Sequence, residues 1–323
     1  MWGQLVTNDI FAFNLVMEKY KVDASIIQDP KRIKVFPESF ILYPIQVGNK
    51  VKFSKVTALE KEIVSEIASF RLRNGFDVTN FSIRFVFNPF FMMEIDSPPG
   101  YYIARPLNYN VANFQSLIGV QYNPTGRSDI FYNVLQHHQT LIAAISGHGK
   151  SFLLNTILSD LYRTPPSLLK IDVLDFKNDL KVNYERISEF ISSEGELGDY
   201  IQFLEDEKEK RRRIALENRR IVIIDEAAEI PKDYDERIAS IMKLGRSIGI
   251  NTILATQHPT ANQLGKTIAR SFTHRIVGRV ENSTAAKWAT GTEDSGAESL
   301  LRPGSFLFCH GSDLRRFQVF TND

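Results

Sequence analysis

The chain has 323 residues, 43% of them hydrophobic and 11% aromatic, which is enough length and apolar content for a sizeable buried core. Its 39 basic residues nearly cancel its 38 acidic ones, so overall charge does not indicate a polyanionic partner and any basic surface must be local. The single cysteine, Cys309, excludes an internal disulfide and an all-cysteine metal site, and we expect it to be a small buried residue.

Nothing in the sequence indicates insertion into a membrane. No apolar run approaches the roughly 20 residues that span a bilayer. The start, MWGQLVTNDIF, also differs from a secretion signal, which has a cationic region followed by an apolar one. We expect a cytoplasmic protein, of a bacterial or archaeal cell or of a host cell if it is viral. Any work at a membrane would then require a membrane or loading protein as partner.

The N-terminal part is the least informative. Residues 1–40 have no clear role, although DIFAFNLVMEKYKV has helical periodicity and QDPKR is typical of a turn. The stretch SFILYPIQVGNKVKFSKV that follows has the composition of a strand, and we expect Pro44 and Gly48 to break it.

A small α+β subdomain is predicted at residues 41–116. Within it, TALEKEIVSEIASFRLRNG has apolar residues at helical spacing, with Thr57 as the expected N-cap, Glu60 three residues later and Gly75 at the end. The next stretch, SIRFVFNPFFMMEIDSPP, alternates like a pair of strands.

The pattern changes in residues 117–323, which we predict to be one α/β domain. Short apolar strands now alternate with helical segments. These strands are TLIAAI, LLKIDVLDF, RRIVIIDE, INTILATQ, THRIVGRV and SFLFCHG. Strands that are apolar on both faces and separated by helices predict a mainly parallel central sheet covered by helices.

The stretch AAISGHGKSF has the composition of a phosphate-binding loop, except that Ala144 stands where the usual pattern has its first glycine. Such a loop presents backbone N–H groups to phosphate oxygens and therefore needs small, conformationally permissive residues. The following lysine would reach the β and γ phosphates, and the serine after it would hold Mg²⁺. The alternative is a chance Gly-Lys-Ser in a strand-to-helix turn. The predicted ATP-binding residues are Ser146, Gly147, His148, Gly149, Lys150, Ser151 and Phe152.

Two further strands end in polar residues. Asp225 and Glu226 follow the apolar strand IVII, and ligands bind at the carboxyl edge of parallel sheets. We expect Asp225, with Ser151, to hold Mg²⁺ and Glu226 to orient and deprotonate the attacking water. The alternative is an acidic N-cap pair on a surface helix. The strand in INTILATQHPT ends in Thr256 and Gln257, and Gln257 is expected to lie near the γ-phosphate.

With these three motifs in order, the chain resembles the motor region of the FtsK/SpoIIIE family of DNA translocases, in the FtsK–HerA class of RecA-like P-loop ATPases. The resemblance covers about residue 56 to the end. Family members typically read GTTGSGKS where this chain has AISGHGKS, and Asp-Pro-Lys after a strand where it has DVLDFKND. The longer matches are RSIGINTILATQHPT and GAESLLRPGSFLF.

The resemblance implies a ring, usually a hexamer, that threads double-stranded DNA and holds each ATP between neighbouring subunits. It makes Arg246 the first candidate for the arginine that one subunit supplies to its neighbour's γ-phosphate and Arg275 the second; a surface ion pair is the alternative for either. It also implies that Asp175 and Lys177 shape the site or the subunit junction.

The resemblance also bears on the contacts with DNA. The segment HPTANQLGKTIAR matches a family pore loop, so Lys266 and Arg270 are the expected contacts to DNA phosphates. The basic run in DEKEKRRR is expected to be a salt-bridged, solvated helix, because acids are interspersed with its basic residues.

The favoured hypothesis is an ATP-driven double-stranded DNA translocase. We expect neither an anchor nor a winged-helix domain, which favours a mobile element over chromosome segregation. The alternative is a nucleotide-binding DNA or relaxase coupling or assembly protein that hydrolyses slowly and does not translocate processively. A helicase acting on single strands would need an aromatic stacking stripe, which the sequence does not show.

Overall fold

The computed structural model describes residues 2–36, 40–76, 78, 83–87, 91–96, 105–106, 109–123, 126–214, 216–260, 264, 266–300, 302–311 and 313–320. The chain divides into two compact units: Met1–Ile103 with Tyr122–Gly126, and Ala104–Gln121 with Arg127–Asp323. The predicted division into residues 1–40, 41–116 and 117–323 stays a prediction.

The first unit is a small α+β structure. Its elements are α1 (Trp2–Lys19), β1 (Ala24–Ile26), β2 (Lys34–Phe36), β3 (Phe40–Val47), α2 (Phe53–Thr57), α3 (Glu60–Arg73), β4 (Ile83–Phe87) and β5 (Phe91–Asp96). The strands form an antiparallel sheet in the order β1-β3-β5-β4, with β2 also paired to β3. Apolar residues of α1 and α3, such as Phe13 and Ile63, are fully buried with the sheet residue Ile41.

Two local predictions for this unit are wrong. Thr57 does not cap α3, because it is the last residue of the short helix α2 and its hydroxyl donates to the Ser54 carbonyl. Pro44 does not break β3, which runs from Phe40 to Val47. Pro44 pairs with Met92 in the sheet, and its carbonyl accepts a 2.8 Å hydrogen bond from the Ile27 N–H. The donor that Pro44 lacks would continue the ladder on that side, where β1 ends at Ile26, so the proline limits β1 and leaves β3 intact.

The second unit contains the predicted α/β fold. Its strands are β6 (Gln115–Asn123), β7 (Gly126–Asn133), β8 (Gln139–Ala143), β9 (Leu169–Asp175), β10 (Glu189–Ile191), β11 (Arg219–Asp225), β12 (Ile250–Thr256), β13 (His274–Val277), β14 (Ser305–His310) and β15 (Asp313–Val319). Its helices are α4 (Lys150–Leu161), α5 (Glu194–Arg213), α6 (Asp235–Ile248), α7 (Lys266–Ser271) and α8 (Ser283–Thr290).

The strands lie in one sheet in the order β10-β9-β11-β12-β8-β13-β14-β15-β6-β7. The pairs from β10 to β13 are parallel, whereas β13–β14, β14–β15 and β15–β6 are antiparallel. The central part is therefore the mainly parallel sheet that the sequence predicts. Strands β8, β11 and β12, which carry the three predicted motifs, are close neighbours in this order.

Successive strand residues enter two separate cores. Ile142, Ile223 and Ile253 are buried on one face with α4. On the other face, Val222 and Leu254 are buried with α5 and α6. The strands are apolar over most of their length, and the buried Asp172 in the middle of β9 is paired with Arg220. The polar residues at the carboxyl ends of β8, β11 and β12 form the candidate site.

Candidate nucleotide-binding site

The loop between β8 and α4 has the backbone that a phosphate site requires. Gly147 and Gly149 adopt positive φ values of 77° and 102°, which glycine tolerates without strain. Within the part of the chain that the structure describes, the N–H groups of Gly147, Gly149, Lys150 and Ser151 donate to no protein acceptor. Four unsatisfied donors at the start of α4 form a site for an anion.

The departure at Ala144 is accommodated by a glycine elsewhere. Ala144 is fully buried and does not have a positive φ, so alanine fits its backbone. A Cβ added at Gly278, on the segment after β13, would lie 3.0 Å from the Ala144 Cβ and 2.5 Å from His148 Cδ2. Gly278 therefore leaves the space that the Ala144 methyl group and the His148 ring occupy.

His148 is a structural residue of the loop. Its side chain is 3% exposed, and its Nε2 lies 2.9 Å from the Ser305 carbonyl, which fixes the proton on that nitrogen. The Gly304 N–H donates to the His148 carbonyl at 2.9 Å, and the Phe306 ring contacts the imidazole edge to face. These contacts join the phosphate loop to the start of β14, so the geometry gives the imidazole no catalytic task.

Lys150 and Asp225 form a buried ion pair at the end of β11. Both side chains are less than a tenth exposed. Burial raises the pKa of the Asp225 carboxyl, the Lys150 ammonium opposes that increase, and Asp175 and Glu226 add to it. The ammonium and the free loop amides can bind a phosphate, and the carboxylate can bind the metal ion that accompanies it.

Glu226 has an unusual backbone and a well-defined carboxylate. Its φ of 58° is left-handed, a conformation that costs energy for a residue with a side chain. Oε1 accepts hydrogen bonds from the Thr256 hydroxyl at 3.0 Å and the Gln257 N–H at 3.2 Å. Oε2 is buried and accepts no hydrogen bond from the described residues. One oxygen is thus held and the other is available to a water molecule.

The turn after β9 is fixed by Asp175. Its carboxylate accepts hydrogen bonds from the N–H groups of Lys177, Asp179 and Leu180, and Asp175 pairs in register with Asp225 on the neighbouring strand. The Lys177 ammonium lies 3.6 Å from Glu226 Oε2 and 3.6 Å from Glu229 Oε1. Asp175 and Lys177 therefore lie at the site, as the resemblance implies.

The oxygen donors fit Mg²⁺. Ser151 begins α4 beside Lys150, and Asp225 ends β11. No cluster of three or more His, Cys, Asp or Glu in the described ranges can hold a metal ion by itself. Mg²⁺ is usually held by one or two protein oxygens together with substrate phosphates, so Ser151 and Asp225 are donors of the kind that such a site uses. Gln257 is only partly buried, next to Glu226, and Phe152 packs against the core at the first turn of α4.

Arg246 lies at the opposite edge of the sheet. It is exposed in the last turn of α6, just before β12 begins, and it lines a cavity of about 1390 Å³ together with Lys243, Arg270 and residues at the start of β8. The structure does not bring Arg246 to the phosphate loop of its own chain.

The second arginine candidate has a different environment. Arg275 donates to the carbonyls of Trp288, Ala289 and Ala269 at 2.9, 3.2 and 3.0 Å, which fixes the end of α8 against α7. Burial lowers the pKa of the Arg275 guanidinium. Within the chain these contacts hold the guanidinium between α7 and α8, and its assignment as the second arginine candidate stays a prediction.

The two predicted DNA contacts are located only in part. Arg270 is exposed on α7 and lines the same cavity as Arg246. Lys266 begins α7, but its side chain and residues 261–263 of the pore-loop segment lie outside the described residues.

The basic run on α5 is salt-bridged as predicted. Its ion pairs are Arg211–Glu207, Arg212–Glu209 and Lys208–Glu209.

Sequence reasoning missed two features of the site. Gly278 was not predicted to matter, although VGR follows a strand at the same sheet edge as the phosphate loop. The contact of His148 with the Ser305 carbonyl was not predicted either, because side-chain identity does not indicate which backbone carbonyls accept hydrogen bonds. The only available signal was the GAESLLRPGSFLF match, which places a tight turn before β14.

Comparisons with known proteins agree with this geometry. A family model for an AAA domain matches residues 136–264. A protein named DNA translocase FtsK, from Clostridium acetobutylicum, is 23% identical over 333 residues, which cover 90% of this chain and 41% of that protein. DNA translocase SftA of Bacillus subtilis is 30% identical over 199 residues, covering 52% of this chain and 21% of that protein. The chain thus spans less than half the length of these curated relatives.

Among solved structures, the pCW3 conjugation coupling protein TcpA, in a monomer form with ATPγS, superposes with a TM-score of 0.61 at 18% identity. The match covers 98% of this chain and 95% of that one, and it shows a shared fold. The fold and phosphate loop define a P-loop ATPase with a RecA-like core. Within that class, the chain is similar to the proteins named DNA translocase FtsK and DNA translocase SftA, whose family its motifs resemble. None of the helices in the described ranges is long and apolar enough to cross a membrane.

Proposed function

We propose that the protein hydrolyses ATP to move double-stranded DNA through a ring of its own copies, as a motor of a mobile element engaged in genome packaging or plasmid transfer. One observation carries this proposal. The ionised pair Lys150–Asp225 and the Glu226 carboxylate lie together beside the free loop amides, whereas Arg246 lies at the other edge of the sheet. That arrangement suits hydrolysis at a junction between copies.

The chemistry follows from the donors and acceptors of the site. The N–H groups of the loop and the Lys150 ammonium bind and orient the β and γ phosphates. Ser151 and Asp225 would hold Mg²⁺, which would supply positive charge to the phosphate oxygens. Glu226 Oε2, which has no hydrogen bond from the described residues, is positioned to accept the proton of the attacking water. Gln257 follows Thr256, whose hydroxyl holds Oε1, and can contact the same water.

We assign Arg246 to the neighbouring copy's nucleotide. It makes no ion pair within the described residues, so its guanidinium is available to a phosphate from outside the chain. A second copy related by a head-to-tail rotation would place this edge of the sheet against the next phosphate loop, and repetition of that contact closes a ring. An arginine supplied across such a junction stabilises charge that develops in the transition state.

DNA is the proposed cargo because the curated relatives are named DNA translocases. A motor has to accept every sequence, so its contacts are expected to be with phosphates. Arg270 and Lys266 on α7 are the proposed contacts, and Arg270 is exposed.

The test is ATP hydrolysis by the purified protein with duplex DNA, with single-stranded DNA and without DNA. We expect duplex DNA to stimulate hydrolysis more than single strands do. Glu226→Gln should keep binding a fluorescent ATP analogue while turnover falls roughly 100-fold or more, and Lys150→Ala should lose binding. Hydrolysis by Glu226→Gln at the wild-type rate would show that Glu226 is not the base. Hydrolysis that duplex DNA does not change would favour the coupling or assembly role.

A further inference from the structure

Glu226 is held on one side only. Its Oε1 has two hydrogen-bond donors, Thr256 and Gln257, both at the end of β12. Its Oε2 is buried without a hydrogen bond from the described residues. A carboxylate with one oxygen held can still rotate about that contact. The direction of Oε2, the oxygen that would receive the water proton, therefore depends on another group.

The only cation that ion-pairs with Glu226 in the described ranges is Lys177. The Lys177 side chain is 41% exposed, whereas Glu226 is 4% exposed, and the ammonium lies 3.6 Å from Oε2. This distance is too long for a direct hydrogen bond but short enough for a strong electrostatic attraction beside buried atoms. The same ammonium lies 3.6 Å from Oε1 of the half-exposed Glu229, which gives it a second anchor.

The backbone that carries Lys177 is fixed. Asp175 accepts hydrogen bonds from the N–H groups of Lys177 and Asp179 with one oxygen and from Leu180 with the other. Asn178 has a φ of 55°, so the chain makes a sharp turn immediately after Lys177. With the backbone fixed, only the side chain of Lys177 can move. An ordinary surface ion pair does not need a turn that a buried carboxylate holds with three hydrogen bonds.

We propose that Lys177 is a positioning residue for the proposed hydrolysis: its ammonium holds Oε2 of Glu226 in the direction of the attacking water, and Glu229 keeps the ammonium in place. This inference rests on the proposed function of Glu226 as the base. Lys177 does not touch the nucleotide in this arrangement. Its removal therefore affects turnover and the order of the Glu226 carboxylate, and it leaves nucleotide affinity unchanged.

The experiment compares four variants of the full chain. Lys177→Ala removes the ammonium, Lys177→Arg restores a cation, and Glu229→Gln removes only the second anchor. Lys181→Ala is the matched control, because Lys181 is exposed in the same segment and makes no ion pair within the described residues. Two kinds of measurement are made. One is kcat and KM for ATP, and the other is hydrogen exchange of the backbone N–H of Gln257 without nucleotide or DNA.

For Lys177→Ala we expect kcat to fall roughly threefold to tenfold with KM within about twofold. The Gln257 amide should exchange roughly threefold faster or more, because its acceptor Oε1 is no longer held still. Lys177→Arg should recover both properties, Glu229→Gln should change both in the same direction as Lys177→Ala but by a smaller factor, and Lys181→Ala should change neither property.

Two results would overturn the proposal. One is wild-type kcat and wild-type Gln257 exchange in Lys177→Ala. The other is a higher KM and weaker binding of an ATP analogue with unchanged Gln257 exchange, which would make Lys177 a nucleotide contact. The exchange measurement needs neither ATP nor DNA. It therefore reports on Lys177 even if the wild-type protein shows no DNA-stimulated hydrolysis, which is the result that would refute the proposed function.

Discussion

The Thr256 hydroxyl donates a 3.0 Å hydrogen bond to Oε1 of Glu226, and this contact joins the ends of two neighbouring parallel strands. The same hydroxyl accepts a hydrogen bond from the His258 N–H at 3.1 Å. Its lone pair and its proton are thus both used, which fixes the orientation of the hydroxyl. The proposed base is therefore oriented from the next strand in the sheet.

Thr256→Val should lower kcat about tenfold, since it keeps the shape of the side chain and removes one hydrogen bond of about 1.5 kcal/mol to a charged group. Thr256→Ser retains the hydroxyl and should stay within about threefold of wild type. Steady-state ATPase assays with both variants check this. Equal kcat values for the valine and serine variants would show that the hydroxyl does not orient Glu226.

Gly278→Ala should disturb the phosphate loop. The added Cβ would lie 2.5 Å from His148 Cδ2 and 2.9 Å from Phe306 Cε1, so the ring or the loop must shift. Overpacking of this kind costs about 1–3 kcal/mol of the free energy of unfolding. We expect weaker binding of an ATP analogue and a lower urea midpoint.

Gly195→Ala is the matched control, because apart from its chain neighbours and the backbone of its own helix no atom lies within 4 Å of the Cβ position that it would fill. It should keep wild-type nucleotide affinity and equal or slightly greater stability. If Gly278→Ala behaves like this control, Ala144 and His148 do not depend on the space at Gly278.

Acid should destabilise the fold through two histidines. Burial, with an added contribution from neighbouring imidazoles, lowers the pKa of His137 to about 3 and that of His274 to about 4. Below pH 6.5 the unfolded chain binds protons that the folded chain does not, so the free energy of unfolding falls as the pH decreases from 6.5 towards about 4. Urea unfolding at pH 7 and pH 5 measures this decrease.

His274→Phe should make that decrease smaller by about 1–2 kcal/mol, because one group no longer takes up a proton on unfolding. The exposed His258 provides the control, and His258→Gln should keep the wild-type decrease. An unchanged decrease in His274→Phe would show that the pKa of this histidine is not lowered in the folded protein.

Arg246→Ala should abolish hydrolysis in a ring made of that variant alone, while the nucleotide affinity of each subunit is retained. Mixing it with Lys150→Ala subunits should restore part of the activity, because each subunit then supplies what its neighbour lacks. ATPase titrations of mixed rings measure this recovery. Complete inactivity at every ratio, with mixing verified by native mass spectrometry, would contradict a shared site.

The mainly parallel sheet and the carboxyl-edge position of the three motifs followed from the sequence, whereas the order of the strands did not. Short apolar runs such as IVII that alternate with helical segments predict buried parallel strands, and the polar residues after them then lie at one edge of the sheet. The edge position of Arg246 could not be derived from periodicity. It depends on how α6 packs, which is a property of the tertiary structure.

Local errors have similar causes. Thr57 looked like an N-cap, but tertiary packing made Phe53–Thr57 a separate short helix. Pro44 looked like a strand breaker, yet the sheet needs no N–H at that position. The contact of Lys177 with Glu226 joins residues 49 positions apart, and only the pairing of β9 with β11 brings them together.

The central claim is that ATP hydrolysis moves this protein along double-stranded DNA. The most direct measurement is displacement of a triplex-forming strand from duplex DNA by the wild-type protein and by Glu226→Gln. The account predicts ATP-dependent displacement by the wild type and none by Glu226→Gln, which still binds ATP. If the wild type assembles, binds duplex DNA and hydrolyses ATP but leaves the triplex strand in place, the claim of translocation is contradicted.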